Sequence, residues 1–281
     1  MHSKLAVGTL LLATALACGC AAPARLADPS ASRAAPADLP SGAVLPAGGG
    51  SEASASHKAL PLAGRVIGID PGHDGGNFGD PADINRLIWN GRENETCDTT
   101  GAQTAAGLTE ASFNFAVARF LRADLIAAGA KVVLTRQGDS GVGPCVTTRA
   151  QIINNAHADV AIDIHADGGP SWGRGFTVLE PVADGPNNAV ISSSLRFGDD
   201  VRAALLQETT MPTSDYDGTD GLVSRDDLAG LNLTTVPKVL VECGNMPNPT
   251  DAALLASPAF QHQLARAFTA AIMVFLTGQP G

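Results

Sequence analysis

The stretch Arg65–Asp80, RVIGIDPGHDGGNFGD, decides how this chain is read. An apolar run ends at Pro71 and Gly72, as a short buried strand does. It delivers His73 at its exit, and a glycine-rich loop follows. A histidine where a buried strand surfaces needs a reason, and the rest of the chain supplies partners for it.

From Gly64 onward strands and helices alternate. TEASFNFAVARFLRADLIAAGA (109–130) reads as a helix. Thr109 can cap its start, Phe113, Val117, Phe120, Leu121 and Leu125 form one apolar stripe, and Gly129 ends it. KVVLTR (131–136), DVAIDIHAD (159–167), GFTVLEPV (175–182) and KVLVECG (238–244) read as strands. Further helices are expected over 146–158, over 188–208, and over 257–277, where Ser257, Pro258 and Gly278 supply start and stop signals. Residues 74–108 read as a loop, long enough to imply a function. Residues 211–234 read as a second loop, ending in a short extended piece. The pattern predicts an α/β fold: a single domain with a largely parallel mixed sheet, flanked by helices on both faces.

A length of 281 residues suits one such domain plus extra segments. With 44% hydrophobic and 16% charged residues a sizeable core is available, and with only 4% aromatics it is built of Ala, Val, Leu and Ile. The net charge of −10 argues against nucleic acid, which needs a basic surface. Residues 1–22 read as an export signal, with Lys4, an apolar stretch Leu5–Ala17 and then small residues. That stretch is too short for a comfortable membrane span. ALAC, ending at Cys18, resembles a lipoprotein cleavage site, although Ala15 stands where Leu is usual. Lipid anchoring through Cys18 or Cys20 and simple cleavage both fit. Residues 23–63, rich in Ala, Pro, Ser and Gly, read as a disordered tether, leaving 64–278 as the folded domain. Export implies periplasm or cell wall, where thiols oxidise. The expected disulfide is Cys97–Cys145, with Cys243 buried and free.

Three strands end in polar residues that do not suit a core: His73, His165 and Glu242. In open α/β sheets ligands bind outside the carboxyl ends of the strands, so distant residues can share one crevice. Glu110, in the first turn of a helix, lies above Phe113 and Val117 on the inward stripe, where an unpaired carboxylate is costly. Two imidazoles and a carboxylate are what a catalytic zinc asks for, with water in the fourth place. The second carboxylate would be a general base, since zinc brings the pKa of water to roughly 7. Asp163 shares a strand face with His165 and is a candidate to orient its imidazole. No local zinc signature such as H-E-x-x-H occurs, so convergence of the strands carries the reading. His2, His57, His157 and His262 read as structural or solvated.

IDPGHDGG, TE opening a helix, GAKVVLTR, TTRAQIINNAHADVAIDIHAD and VPKVLVECGNMPNPTDAALL follow one another in that order. Together they resemble the zinc-dependent N-acetylmuramoyl-L-alanine amidases of type 3, over about Arg65 to Gly278. Among these the chain is similar to the single-domain exported amidases of mycobacteria. The resemblance implies one Zn2+ on His73, Glu110 and His165, with Glu242 as catalytic glutamate. It also implies cleavage of the amide between N-acetylmuramic acid and L-alanine in peptidoglycan or its muropeptide fragments. Asp163 and Asp167 replace the family's Ser and Asn around the second histidine. Arg225 is the candidate to hold a stem-peptide carboxylate, while Arg136 and Arg149 read as structural. The chain is expected to be monomeric. The rival readings are a zinc peptidase acting within the stem peptide and a non-catalytic wall-binding module.

Overall fold

The computed structural model describes residues 59–279. The expected signal, and the tether as far as residue 58, lie outside the described residues. Residues 59–63 join the domain instead of the tether. Leu62 is wholly buried, and its N–H donates to the Ala128 carbonyl at 2.9 Å.

The first half of the domain runs β1 (Val66–Pro71), α1 (Pro81–Ile84), β2 (Leu87–Trp89), β3 (Asn94–Thr96), α2 (Glu110–Ala127), β4 (Lys131–Leu134) and α3 (Val146–Asn155). The second runs β5 (Val160–Asp167), β6 (Thr177–Pro181), α4 (Ile191–Glu208), β7 (Leu222–Arg225), α5 (Ala229–Asn232), β8 (Lys238–Asn245), α6 (Pro249–Leu255) and α7 (Pro258–Thr277). Six strands form one sheet in the order β4-β1-β5-β8-β6-β7. Every neighbouring pair is parallel except β6 with β8. Among the described residues no helix is long and apolar enough to cross a membrane.

The period-two alternation of side chains gives the two sheet faces different chemistry. Ile67 and Ile69, Val160, Ile162 and Ile164, and Val239, Val241 and Cys243 point to one face. There they join Phe113, Val117 and Leu121 of α2 and Leu264, Phe268 and Ile272 of α7 in the main core. The alternate residues carry Gly68 and Asp70, Ala161, Asp163 and His165, and Lys238, Leu240 and Glu242. This second face meets α3, whose Ile153 packs on Ala161, and α5, whose Leu231 packs on Leu240. The site grows from this polar face.

The helix signals act as expected. Thr109 accepts from the Ser112 N–H, Ser257 accepts from the Phe260 N–H, and Gly278 closes α7 with φ 69°. Three pieces differ from the sequence expectation. The loop 74–108 holds α1 and the antiparallel pair β2–β3, whose Ile88 packs against Cys97 and Ala229. The loop 211–234 contributes β7, parallel to β6, and then the single turn α5. Asn248 starts the unexpected α6 by accepting from the N–H groups of Thr250 and Asp251.

The expected Cys97–Cys145 bridge is not formed in this structure; both residues are buried thiols in the β2–β3 cluster. Cys145 Sγ donates to the Cys97 carbonyl at 3.2 Å, and Arg86 Nη2 donates to Cys97 Sγ at 3.4 Å. Cys243 is a buried thiol in the main core.

Candidate metal centre and catalytic cleft

His73 leaves β1 with φ 57°, a left-handed conformation rare for a residue with a Cβ. Gly72, just before it, lies against the His165 ring; a Cβ there would stand 2.2 Å from the imidazole. Gly101, with φ 72°, leaves similar room, since its Cβ would meet the His73 ring at 2.7 Å and Glu110 Oε2 at 2.8 Å. The glycines therefore let two imidazoles and a carboxylate close on one point.

Glu110 reaches that point from the start of α2. Its Oε1 lies 3.2 Å from His73 Nε2 and 2.8 Å from His165 Nδ1. The N–H groups of Ala102 and Ala166 donate to its two oxygens at 2.7 and 3.2 Å. The two rings meet edge to face, with centroids 4.9 Å apart. The ligand atoms of His73, Glu110 and His165 all fall within 4.8 Å of one another, close enough to hold a single metal ion. Burial opposes charge on His73, but Glu110 and Asp98 outweigh it and lift this imidazole to about 9. Burial likewise opposes charge on Glu110, yet the histidines hold its carboxyl well below the usual range. A pocket that favours positive charge, with two nitrogens and one oxygen converging, fits a divalent cation with an open fourth position.

Each imidazole turns its other nitrogen to a carboxylate. His73 Nδ1 lies 3.0 Å from Asp98 Oδ1, and His165 Nε2 lies 3.3 Å from Asp163 Oδ1. Asp98 was missed in the sequence; it sits 25 residues beyond His73, inside a loop with no periodicity to place it.

Glu242 stands beside His165 across the β5–β8 register and faces an open cleft of about 490 Å³. Its Oε2 is buried without a hydrogen-bond partner. Burial pushes its carboxyl up to about 8, helped by Glu110 and Asp167 and opposed by His165. A lone acceptor poised near neutrality suits proton transfer. Asp167 also lines the cleft, and Tyr216 donates to its Oδ2 at 2.7 Å. Tyr216 likewise carries no local signal, since its partner Asp167 lies 49 residues away.

Arg225 lines the same cleft but is engaged, donating from Nε and Nη2 to both oxygens of Asp227 at 2.7 Å. Arg136 and Arg149 are buried. Arg136 donates to the carbonyls of Pro71, Gly72 and Ala111, tying the turn before His73 to the start of α2. His157 ends α3 with φ 48°, and His262 stacks on Phe120 at 5.0 Å, both away from the cleft.

The fold and site define a class: an open α/β domain with two imidazoles and a carboxylate gathered at a candidate metal position over the carboxyl edge of its sheet. A family model described as N-acetylmuramoyl-L-alanine amidase matches residues 67–274. The chain belongs to that amidase family. It is 40% identical over 228 residues to N-acetylmuramoyl-L-alanine amidase Rv3717 of Mycobacterium tuberculosis, covering 80% of this chain and 92% of the relative. The crystal structure of the amidase Ami1 from Mycobacterium smegmatis superposes with a TM-score of 0.73 at 40% identity, over 78% of this chain and 99% of that one. The apo form of Ami1 from Mycobacterium abscessus gives 0.73 at 39% identity, over 77% and 100%.

Proposed function

We propose that this protein is a peptidoglycan hydrolase that cuts the amide bond between N-acetylmuramic acid and the L-alanine of the stem peptide. The observation that carries the reading is the convergence of His73, Glu110 and His165 on one point, with Glu242 next to them, in a chain of the amidase family.

His73 through Nε2, His165 through Nδ1 and Glu110 through its carboxylate would hold one Zn2+. Bound there, zinc supplies Lewis acidity and water acidic enough to ionise near pH 7. Glu242 takes a proton from the attacking water at Oε2. The water oxygen forms the new bond to the lactyl carbonyl carbon. The carbon–nitrogen bond breaks as Glu242 returns that proton to the alanine nitrogen, and the water's second proton leaves the new carboxylic acid for the released amine, so that the products are a carboxylate and an ammonium. Asp163 Oδ1, 3.3 Å from His165 Nε2, favours the proton on that nitrogen and so keeps Nδ1 turned to the metal. Arg225 meets a carboxylate of the stem peptide, exchanging Asp227 for it. Export to the periplasm or cell wall, with residues 1–22 as signal and 23–58 as tether, fits a substrate outside the cytoplasm. The enzyme works as a monomer on this reading.

Digestion of purified wall tests it. New free L-alanine amino termini are expected, lost with a chelator and restored by zinc. Glu242→Gln should lower turnover by about 10²- to 10⁴-fold while zinc stays bound. Termini elsewhere in the stem would instead mark a peptidase, and full effect of Glu242→Gln would mark a binding module.

A further inference from the structure

Behind the two histidines the polar face of the sheet holds a chain of buried charges that joins them. It starts at His73 Nδ1, 3.0 Å from Asp98 Oδ1. Asp98 Oδ2 lies 3.3 Å from Arg149 Nη2, and Arg149 Nη1 lies 3.2 Å from Asp70 Oδ1. Asp70 Oδ2 lies 2.8 Å from Lys238 Nζ, and Lys238 Nζ lies 3.2 Å from Asp163 Oδ2. Asp163 Oδ1 closes the path at 3.3 Å from His165 Nε2. Each of the three aspartates uses one oxygen for one neighbour and the other oxygen for the next.

Lys238 is the least expected member. Its side chain is 2% exposed, four residues before Glu242 and on the same face of β8. An ammonium is not buried without partners, because it gives up its hydration on leaving water. Packing alone would be met at this place by an apolar residue. A Cβ on Gly230 of α5 would come within 3.3 Å of Asp163 Oδ2 and 3.5 Å of Lys238 Nζ, so the helical turn leaves room for the pair. Asp163 Oδ1 has no hydrogen-bond partner of its own, and His165 Nε2 is what it faces.

The three aspartates face two permanent cations, Arg149 and Lys238, and Glu110 adds another negative charge. With neutral imidazoles the excess is two negative charges, which one divalent ion balances. Removal of Lys238 would leave Asp163 a buried, unbalanced carboxylate, free to turn from the position that meets His165 Nε2.

We infer that Lys238 is a positioning residue of the metal centre: its ammonium holds Asp163 and Asp70 together, and through Asp163 it fixes the His165 ring with Nδ1 toward the metal. The inference rests on the metal site proposed above. Its test is a double-mutant cycle on the full chain, read as zinc affinity by competition with a chromophoric chelator. Lys238→Met should weaken zinc by about 10- to 100-fold when Asp163 is present. In the Asp163→Asn background the same change should cost nothing further, because the lysine acts through that carboxylate. Unchanged affinity in Lys238→Met, or an equal loss in both backgrounds, overturns the inference. A wild-type chain that binds no zinc overturns the metal site itself, and the inference with it. Should Lys238→Met not fold, Lys238→Gln takes its place in the same cycle, with a zinc loss only when Asp163 is present supporting the inference and an equal loss, or none, in both backgrounds overturning it.

Discussion

Gly72 and His73 divide the work at the exit of β1. The glycine has no Cβ to strike the His165 ring, and the histidine takes the strained turn that brings its own ring back over the sheet edge. Gly72→Ala should swing the His165 ring away from Glu110. We expect a stability loss of about 1–3 kcal/mol in denaturant unfolding, together with weaker zinc binding. Glu180 makes a second prediction at this scale. Burial, with Asp199 adding to it, raises its carboxyl to about 7. Between its ordinary value and about 7 the folded chain holds more protons than the unfolded one, so stability falls as pH rises through that window. Glu180→Gln should therefore raise the melting temperature at pH 8 and leave it unchanged at pH 4. The gain should be roughly 1 kcal/mol once screening by solvent is allowed for. Residues such as His73 were legible because strand ends are visible in the apolar pattern. Asp98 and Lys238 were not, because their partners lie far along the chain. Two steps of two from Glu242 back along β8 reach Lys238 on the face of the site, but no local pattern says that a carboxylate waits there.

At the scale of elements, strands and long helices were readable from their period, and the short pieces were not. β7 has four residues and α5 has four, too few for any periodicity to register. The hairpin β2–β3 exists because Ile88 finds Cys97 and Ala229, contacts that sequence alone does not reveal. α6 carried a signal that could have been used: Asn248 followed by Pro249, a cap and a first-turn proline. Asn248 also donates to the Ser171 carbonyl at 3.2 Å, linking α6 to the loop after β5. Asn248→Ala should cost about 1 kcal/mol, seen as a lower denaturation midpoint with an unchanged slope. A change in slope would mean that α6 opens independently of the rest.

For the molecule as a whole, the sheet separates two duties. One face with α2, α4 and α7 holds the apolar core, and the other holds the charges that organise the cleft. The folded chain thus concentrates negative charge at one place, which a bound divalent cation balances once the two imidazoles are neutral. Metal should therefore stabilise the native state by mass action, by about 2.7 kcal/mol when free zinc is 100-fold above its dissociation constant. Chelation should lower the melting temperature accordingly, and a melting temperature indifferent to chelator would argue against the site. The most direct measurement is anomalous scattering at the zinc edge from crystals of the zinc-loaded protein. The account predicts one peak about 2.0–2.2 Å from His73 Nε2, His165 Nδ1 and the Glu110 carboxylate together. A peak on other residues, or none at that point, would contradict it.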